Sequence, residues 1–226
     1  MYIPVLNKGY VRLLDKMGGD ISVVNAARVS YDKRVEELSD NDYKLLRYLI
    51  DHNHTSPLRH ASISLEVYAP LMVARQWWKY AVSSTHIDDQ NGWNETSRRY
   101  VTDKEEFYIP REWRSRPLNS KQGSGDILDT EDNLYWSYLL EEHITRSRAI
   151  YERALASGLA PELARIFLPA YGLYVRWIWT VSLQGVLHFL DQRLEDDAQI
   201  EIQSYARAVK EIVEESFPAT FSAWTR

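Results

Sequence analysis

The alternation of apolar and polar residues between positions 61 and 68 constrains the fold of this chain more than any other feature. In chain order the residues are Ala61, Ser62, Ile63, Ser64, Leu65, Glu66, Val67 and Tyr68. Because successive side chains of a strand point to opposite faces of a sheet, this period of two predicts a strand with one buried face. The fold must therefore contain a sheet that is covered on that face.

Other segments carry the patterns of further elements. In the N-terminal half they predict a strand over 9–14 ended by Gly18-Gly19, a helix capped by Asp20 or Ser22 and running to Val29, a helix after the polar segment 39–42, and a helix over 71–82 opened by Pro70. In the C-terminal half they predict helices from Trp136 to Leu155, from Pro161 to Phe167, within the apolar run Val175 to Arg193, and from Ile202 to Val213.

Strands early in the chain and helices late predict an α+β fold, with a central twisted sheet flanked by helices and a helix-rich C-terminal half. Residues 111–132 hold Pro117, Gly123 and Gly125 among few apolar residues, so we interpret them as a surface excursion, with a domain boundary as the alternative. A chain of 226 residues suits a single domain over 1–226, or two small units that share a core.

The composition excludes several classes of function. The chain has no cysteine, which rules out disulfide frameworks, thiolate metal sites and cysteine nucleophiles. Its net charge of −5 argues against a nucleic-acid partner, because sequence-independent binding to nucleic acid relies on excess Lys and Arg. The sequence contains no apolar run of membrane-span length and does not begin like a signal peptide, so a cytoplasmic protein without a membrane partner is expected.

Two groups of polar residues could carry chemistry. The first is the segment 94–100, in which Ser97 and Arg99 suit a phosphate group, although a solvated helix start would look the same. The second is Arg165 and Arg193, which lie beside apolar residues and favour an anionic ligand, since a buried unpaired charge is costly. His52, His54 and His60 could suggest a metal site, but a turn lined with hydrogen-bonding groups is the favoured interpretation, and no metal is predicted.

In order along the chain, these pieces resemble the flavin-dependent thymidylate synthase family. The matching blocks are Asn25 to Tyr31, His54-Thr55-Ser56-Pro57 with His60, Ala74-Arg75-Gln76-Trp77, Asn94-Glu95-x-Ser97-x-Arg99-Tyr100, Arg165-Ile166-x-Leu168-Pro169, His188-Phe189-Leu190 with Arg193, and Ala198-Gln199-x-Glu201-Ile202-Gln203. The other class of thymidylate synthase uses a cysteine thiolate, which this chain lacks.

The chain departs from the family signature at one place. The signature runs Arg-His-Arg, two residues, Ser, one residue, Asn, two residues, Ser, one residue, Arg, but Lys79-Tyr80-Ala81 stand where Arg-His-Arg is expected. Eight additional residues, Thr85 to Gly92, follow Ser84. A lysine keeps one positive charge there, but as a point charge and not as a planar fork.

The resemblance implies the fold of thymidylate synthase-complementing proteins, a homotetramer, and conversion of dUMP to dTMP with FAD as cofactor and NADPH and methylenetetrahydrofolate as co-substrates. The implied dUMP contacts are Gln76, Lys79, Glu95, Thr96, Ser97, Arg98, Arg99, Arg165 and Arg193. The implied FAD contacts are Ser56, Lys79, Tyr80, Glu95, Ser182, Gln184 and His188. Arg193 is the implied catalytic residue, placed to stabilise negative charge on the pyrimidine.

Two alternatives stay open from the sequence. The first is a relative that binds nucleotide and flavin but has lost catalysis through the change at 79–81. The second is a metal-dependent phosphohydrolase that uses the histidines of the segment 52–60.

Overall fold

A five-stranded antiparallel sheet organises the part of the chain that the structure describes. The computed structural model describes residues 1–82, 92–95, 105–118 and 123–225. The strands are β1 (Tyr2–Val5), β2 (Gly9–Met17), β3 (Ser62–Pro70), β4 (Gly92–Glu95) and β5 (Tyr174–Ser182). Their order across the sheet is β1-β2-β3-β5-β4, and each neighbouring pair is antiparallel.

The described residues also form eight helices. They are α1 (Asp20–Arg28), α2 (Asp40–Asp51), α3 (Leu71–Val82), α4 (Thr130–Ala156), α5 (Pro161–Ala164), α6 (Leu183–Arg193), α7 (Ile200–Ser216) and α8 (Pro218–Trp224). Short 3-10 turns lie at Val29–Tyr31, Ser56–His60, Arg165–Phe167 and Ala170–Gly172. The predicted α+β class is confirmed.

Aromatic side chains fill the main core between the sheet and α3, α6 and α7. Trp77 of α3 is fully buried and stacks on Phe189 of α6, with a ring-centroid distance of 4.4 Å. Trp177 and Trp179 of β5 meet Trp77 edge-on, each at 5.4 Å. The rings thus fix α3 and α6 against the same strand, which sets the relative position of the polar residues at their ends.

The predicted alternation and the predicted helix after residue 39 are both confirmed. Strand β3 buries Ile63, Leu65 and Val67 almost completely. At α2, the amide of Ser39 donates to the Asp42 carboxylate at 2.9 Å, and the Nε of Arg28 donates to the same carboxylate at 2.8 Å. Burial acts to raise the pKa of Asp42, but these hydrogen bonds outweigh it and hold the pKa below its ordinary value.

The prediction that the apolar run 175–193 is helical is wrong over its first part, which forms β5. Strand β5 is paired on both sides, and Trp177, Trp179 and Val181 are buried while the apolar Ile178 lies on the opposite face. Within 175–181 the opposite face otherwise carries the polar Arg176 and Thr180, so only Ile178 interrupts the alternation that distinguishes a strand from a helix. The helix-rich C-terminal half therefore also supplies one interior strand of the sheet, although the sequence predicted strands only in the N-terminal half.

Smaller corrections concern the ends of elements. Residue Gly19, and neither Asp20 nor Ser22, stands at the N-cap of α1, and its amide donates to the Ser22 hydroxyl at 3.1 Å. The carboxylate of Asp20 instead accepts the amides of Ala219 at 3.0 Å and Thr220 at 2.8 Å, so it caps α8. Pro70 ends β3 and does not open α3.

Candidate functional site

A polar cavity of about 570 Å³ lies where α3, the C-terminal end of α6 and the start of α7 meet. Gln76 and Lys79 of α3 line it from one side, and Arg193, the last residue of α6, lines it from another. Gln76 and Lys79 are three residues apart and therefore share one face of α3, whereas the buried Trp77 lies on a different face of the helix. The cavity therefore brings together Gln76, Lys79 and Arg193, which the sequence predicted to contact dUMP.

The described lining of this polar cavity carries more positive than negative charge. Lys79, Arg114 and Arg193 are cationic, whereas Asp197 is the acidic residue among them. The pair of Arg114 with Glu201, at 2.5 Å, offsets part of this charge from behind the wall. Lys79 is exposed, so its ammonium group can move to meet a ligand. The arrangement suits a small anion with hydrogen-bonding groups.

A row of hydrogen bonds forms one wall of the polar cavity. The side-chain Nε2 of Gln76 donates to Oε1 of Gln199, and Nε2 of Gln199 donates to Oε2 of Glu201 at 2.7 Å. The other carboxylate oxygen of Glu201 accepts from Arg114 and, at 3.1 Å, from the Tyr108 hydroxyl. On its far side this row faces an apolar cavity of about 320 Å³, which Arg114 and Gln199 also line.

Glu201 stays ionised although it is buried. It is 2% exposed. Burial acts to raise the pKa of Glu201, but the hydrogen bonds from Arg114 and Gln199 outweigh burial and lower the pKa below its ordinary value. Burial also raises the pKa of Tyr108, and the negative charge of Glu201 adds to the effect, so the phenol remains a hydrogen-bond donor. The row therefore ends on a group that only accepts hydrogen bonds.

A second cavity, of about 370 Å³, lies on another face of α6, and we call it the His188 cavity. Gln184, His188 and Asp191 line it, as their spacing of four and three residues along α6 predicts. The segment after α2 closes it through Asn53 and Thr55. The side-chain Oε1 of Gln184 is buried and has no hydrogen-bond partner among the described residues. A buried acceptor of this kind fits a ligand that brings a hydrogen-bond donor.

Two residues predicted to contact FAD lie beside the His188 cavity and do not line it. Ser56 follows Thr55 at the start of the 3-10 turn Ser56–His60. Ser182 is completely buried, and its hydroxyl accepts the amide of Gly185 at 3.2 Å, which caps α6. This geometry gives the Ser182 side chain a structural contact at the start of the helix that carries Gln184 and His188.

Other predicted residues are placed elsewhere or lie outside the described residues. Arg165 is exposed in the 3-10 turn after α5, where its Nε donates to the Glu162 carbonyl at 3.2 Å, and it is not among the described residues that line the polar cavity. Glu95 is exposed at the end of β4, on the same sheet face as its register partner Trp177. Thr96, Ser97, Arg98 and Arg99 lie outside the described residues, as does the side chain of Tyr80.

Two of the histidines of the segment 52–60, His52 and His54, contact the ring of Tyr48. The ring of His52 lies 4.0 Å from that of Tyr48, and His54 meets the same tyrosine edge-on at 5.5 Å. Within 1–82, 92–95, 105–118 and 123–225, no group of three or more His, Asp or Glu side chains is placed to hold a metal ion. In that part of the chain, the metal-dependent alternative lacks the cluster that it needs.

Sequence reasoning assigned no role to Tyr108, Arg114 or Glu201, although it noted Glu201 within a motif. Glu201 stands in the first turn of an amphipathic helix, where an acidic residue is ordinary. The burial of Glu201 is what marks it as unusual, and the sequence pattern does not reveal that burial. Tyr108 and Arg114 lie outside helices and strands, so no periodic pattern marks them.

Comparison with known proteins relates the chain to one family. The family model described as "Thymidylate synthase complementing protein" matches residues 12–219. The flavin-dependent thymidylate synthase of one Thermus thermophilus strain is 41% identical over 223 residues, which cover 98% of this chain and 77% of the relative. That of Thermosipho africanus is 37% identical over 226 residues, covering 100% and 95%.

A solved structure is similar to this chain over nearly its whole length. The UMP/dUMP methylase PolB of Streptomyces cacaoi, bound with 5-Br dUMP, superposes with a TM-score of 0.83 at 27% identity and covers 98% of this chain and 96% of its own.

Among the helices of the described residues, none has the length and apolarity required to cross a lipid bilayer.

Proposed function

The chain belongs to the thymidylate synthase complementing proteins, the family of the flavin-dependent thymidylate synthases, and from this premise we propose that it methylates dUMP to dTMP, with methylenetetrahydrofolate as carbon donor and FAD reduced by NADPH. The enzyme class is that of a methyltransferase. The observation that carries the proposal is the polar cavity, because it joins Gln76, Lys79 and Arg193 from two separate helices.

In this proposal the nucleotide occupies the polar cavity. Arg193 contacts the pyrimidine and stabilises the negative charge that develops on the ring during the reaction, a role that requires a cation already held in place. Its position at the end of α6, behind the buried Phe189 and Leu190, provides that rigidity. Lys79 adds positive charge at the cavity edge, and Gln76 offers its amide group.

The remaining nucleotide contacts complete the phosphate site. By the family resemblance, Ser97 and Arg99 hold the phosphate, assisted by Glu95, Thr96 and Arg98. Arg165 is exposed on α5's side of the molecule and outside the cavity lining, so we assign it to the site of a neighbouring subunit in a homotetramer. PolB, the structural relative, was solved with a brominated dUMP, which supports a uridine nucleotide as the ligand class.

The flavin would be held beside α6, with Gln184 and His188 contributing from the His188 cavity and Ser56 from the turn next to it. The unpartnered Oε1 of Gln184 fits this assignment, because the isoalloxazine ring carries N–H donors. Ser182 acts indirectly in this proposal, since its hydroxyl fixes the first turn of α6. Lys79, Tyr80 and Glu95 complete the implied set. When bound and reduced, the flavin supplies the hydride, and the protein supplies placement and electrostatics.

We further propose that residues 1–226 form one domain and that NADPH binds transiently at this site. The sequence has no glycine-rich dinucleotide fingerprint that would give NADPH a site of its own.

The test is a turnover assay with purified protein, dUMP, methylenetetrahydrofolate, FAD and NADPH. Formation of dTMP is expected, and Arg193→Ala should abolish it. Arg153→Ala, which removes an exposed arginine of α4, is the matched control and should keep full activity. A wild-type protein that binds dUMP and flavin but makes no dTMP would be the catalytically impaired relative. Full activity in Arg193→Ala would show that the pyrimidine site is misplaced.

A further inference from the structure

The carboxylate of Glu201 lies behind the wall of the polar cavity: it does not line the cavity itself, but it is hydrogen-bonded to residues that do. It lies in the first turn of α7, is 2% exposed, and accepts hydrogen bonds from Arg114, Tyr108 and Gln199. The proposed reaction gives this carboxylate no contact with the nucleotide. Its effect on the site must therefore pass through the residues that it holds.

Because Glu201 can only accept hydrogen bonds, it fixes the orientation of the Gln199 amide, and Gln199 in turn fixes that of Gln76. An ionised carboxylate can only accept, so the NH₂ group of Gln199 must face Glu201. The carbonyl oxygen of Gln199 then faces Gln76 and accepts from its NH₂ group. Gln76 is left with its carbonyl oxygen and one N–H for the cavity. The direction of the whole row is thus determined at its buried end.

We propose that Glu201 is a positioning residue for the nucleotide: it sets which face of the Gln76 amide meets the substrate. This inference rests on the proposed function, because it takes the ligand of the polar cavity to be dUMP. Replacing the carboxylate by an amide shows why the charge matters. The amide can still accept from Arg114 and Tyr108, but it now presents an NH₂ group to Gln199.

In Glu201→Gln, the donor and acceptor in each hydrogen bond of the row should exchange roles, while the hydrogen bonds themselves remain. Gln199 must turn its carbonyl oxygen towards position 201, and Gln76 must turn in response. The hydrogen bonds within the row can all be formed again, although Arg114 loses its negative partner, whereas the polarity offered to the nucleotide is inverted. A purely structural role for Glu201 would change stability and leave nucleotide affinity unaltered.

The test is a double-mutant cycle on the dissociation constant of dUMP, measured by calorimetry on the flavin-loaded protein. Glu201→Gln and Gln76→Met should each weaken binding about tenfold, the effect of one misdirected hydrogen bond in a closed site. The double variant should bind no more weakly than either single variant, because Glu201 acts through Gln76. Glu211→Gln, an exposed acid on the same helix, is the control and should bind like wild type.

Two results would overturn the positioning role. One is a dissociation constant for Glu201→Gln within about twofold of wild type, and the other is multiplication of the two single losses in the double variant. Should Glu201→Gln fold poorly, Gln199→Leu provides the same cycle, because it cuts the row and leaves the Glu201–Arg114 pair intact. A wild-type protein that binds no dUMP would instead overturn the proposed function itself.

Discussion

Removal of the Trp77 side chain should both destabilise the protein and loosen the proposed nucleotide site. Trp77 is fully buried and stacks on Phe189 at 4.4 Å, with Trp177 and Trp179 edge-on at 5.4 Å. The stacked pair joins α3, which carries Gln76, to α6, which ends at the proposed catalytic arginine. Trp77→Ala removes that contact and leaves a cavity between the two helices.

The magnitude follows from the packing. Tryptophan-to-alanine changes in cores cost about 3–5 kcal/mol. The upper part of this range is expected here, since four aromatic neighbours of Trp77, among them Tyr205 at 6.5 Å, lose favourable ring contacts. For a chain of this size, each kcal/mol lowers Tm by about 2–4 °C, so a loss of about 4–5 kcal/mol should lower Tm by roughly 8–20 °C. The indole N–H of Trp77 has no partner among the described residues, so Trp77→Phe loses no hydrogen bond and should cost less than half as much.

The assay combines urea unfolding, followed by far-ultraviolet circular dichroism, with calorimetric titration of dUMP below Tm. Trp78→Ala is the matched control, because the neighbouring ring is 49% exposed and its removal should cost less than about 1 kcal/mol. The dissociation constant for dUMP should rise in Trp77→Ala and stay unchanged in Trp77→Phe. The reasoning fails if Trp77→Phe destabilises as much as Trp77→Ala, or if Trp77→Ala binds dUMP like wild type.

Three further predictions concern stability. Gly9→Ala should cost about 1–3 kcal/mol in urea unfolding, because the added methyl would lie 1.8 Å from the Tyr205 hydroxyl. In Gly19→Ala the methyl meets nothing within 4 Å, so this control should lose only the preference for glycine over alanine at an N-cap, less than about 1 kcal/mol. Ser182→Ala removes the cap of α6 and should cost about 1 kcal/mol in thermal unfolding, with unchanged Tm contradicting the capping role. The pKa of Asp42 is lowered in the folded state, so its contribution to stability is present above the unfolded pKa of about 3.9 and is lost as pH falls through the folded pKa. The stability difference between wild type and Asp42→Asn, measured by urea unfolding at several pH values, should therefore shrink below pH 4, and a constant difference would refute the argument.

Local patterns were sufficient for elements whose partners are near in sequence or whose faces differ in polarity. The alternation in β3 predicted its buried face, and Ser39 marked the start of α2. Strand β5 was not predicted although its apolar residues alternate, because Ile178 interrupts the period and the apolar segment continues directly into α6. Strand β1 escaped because it is only four residues long and contains Pro4.

The candidate site was predictable only in part. The family blocks named Gln76, Lys79 and Arg193, which share a cavity in the structure. The row from Gln76 to Glu201 could not be predicted, since its first hydrogen bond joins residues 123 positions apart and burial alone gives the carboxylate its role. Nothing in the sequence shows that Arg165 lies outside the cavity of its own chain, because that depends on where α5 packs.

The capping of α8 by Asp20 has a consequence for the order in which the molecule can be completed during translation. Asp20 accepts hydrogen bonds from the amides of Ala219 and Thr220, which are 199 and 200 positions away in the chain. Helix α8 also packs on α2. The first two helices therefore emerge from the ribosome long before the segment that covers them. Until that segment arrives, α2 exposes Leu46 and Leu49, which are buried in the finished protein. Contacts of such long range slow folding and leave apolar surface open to chaperones in a nascent chain.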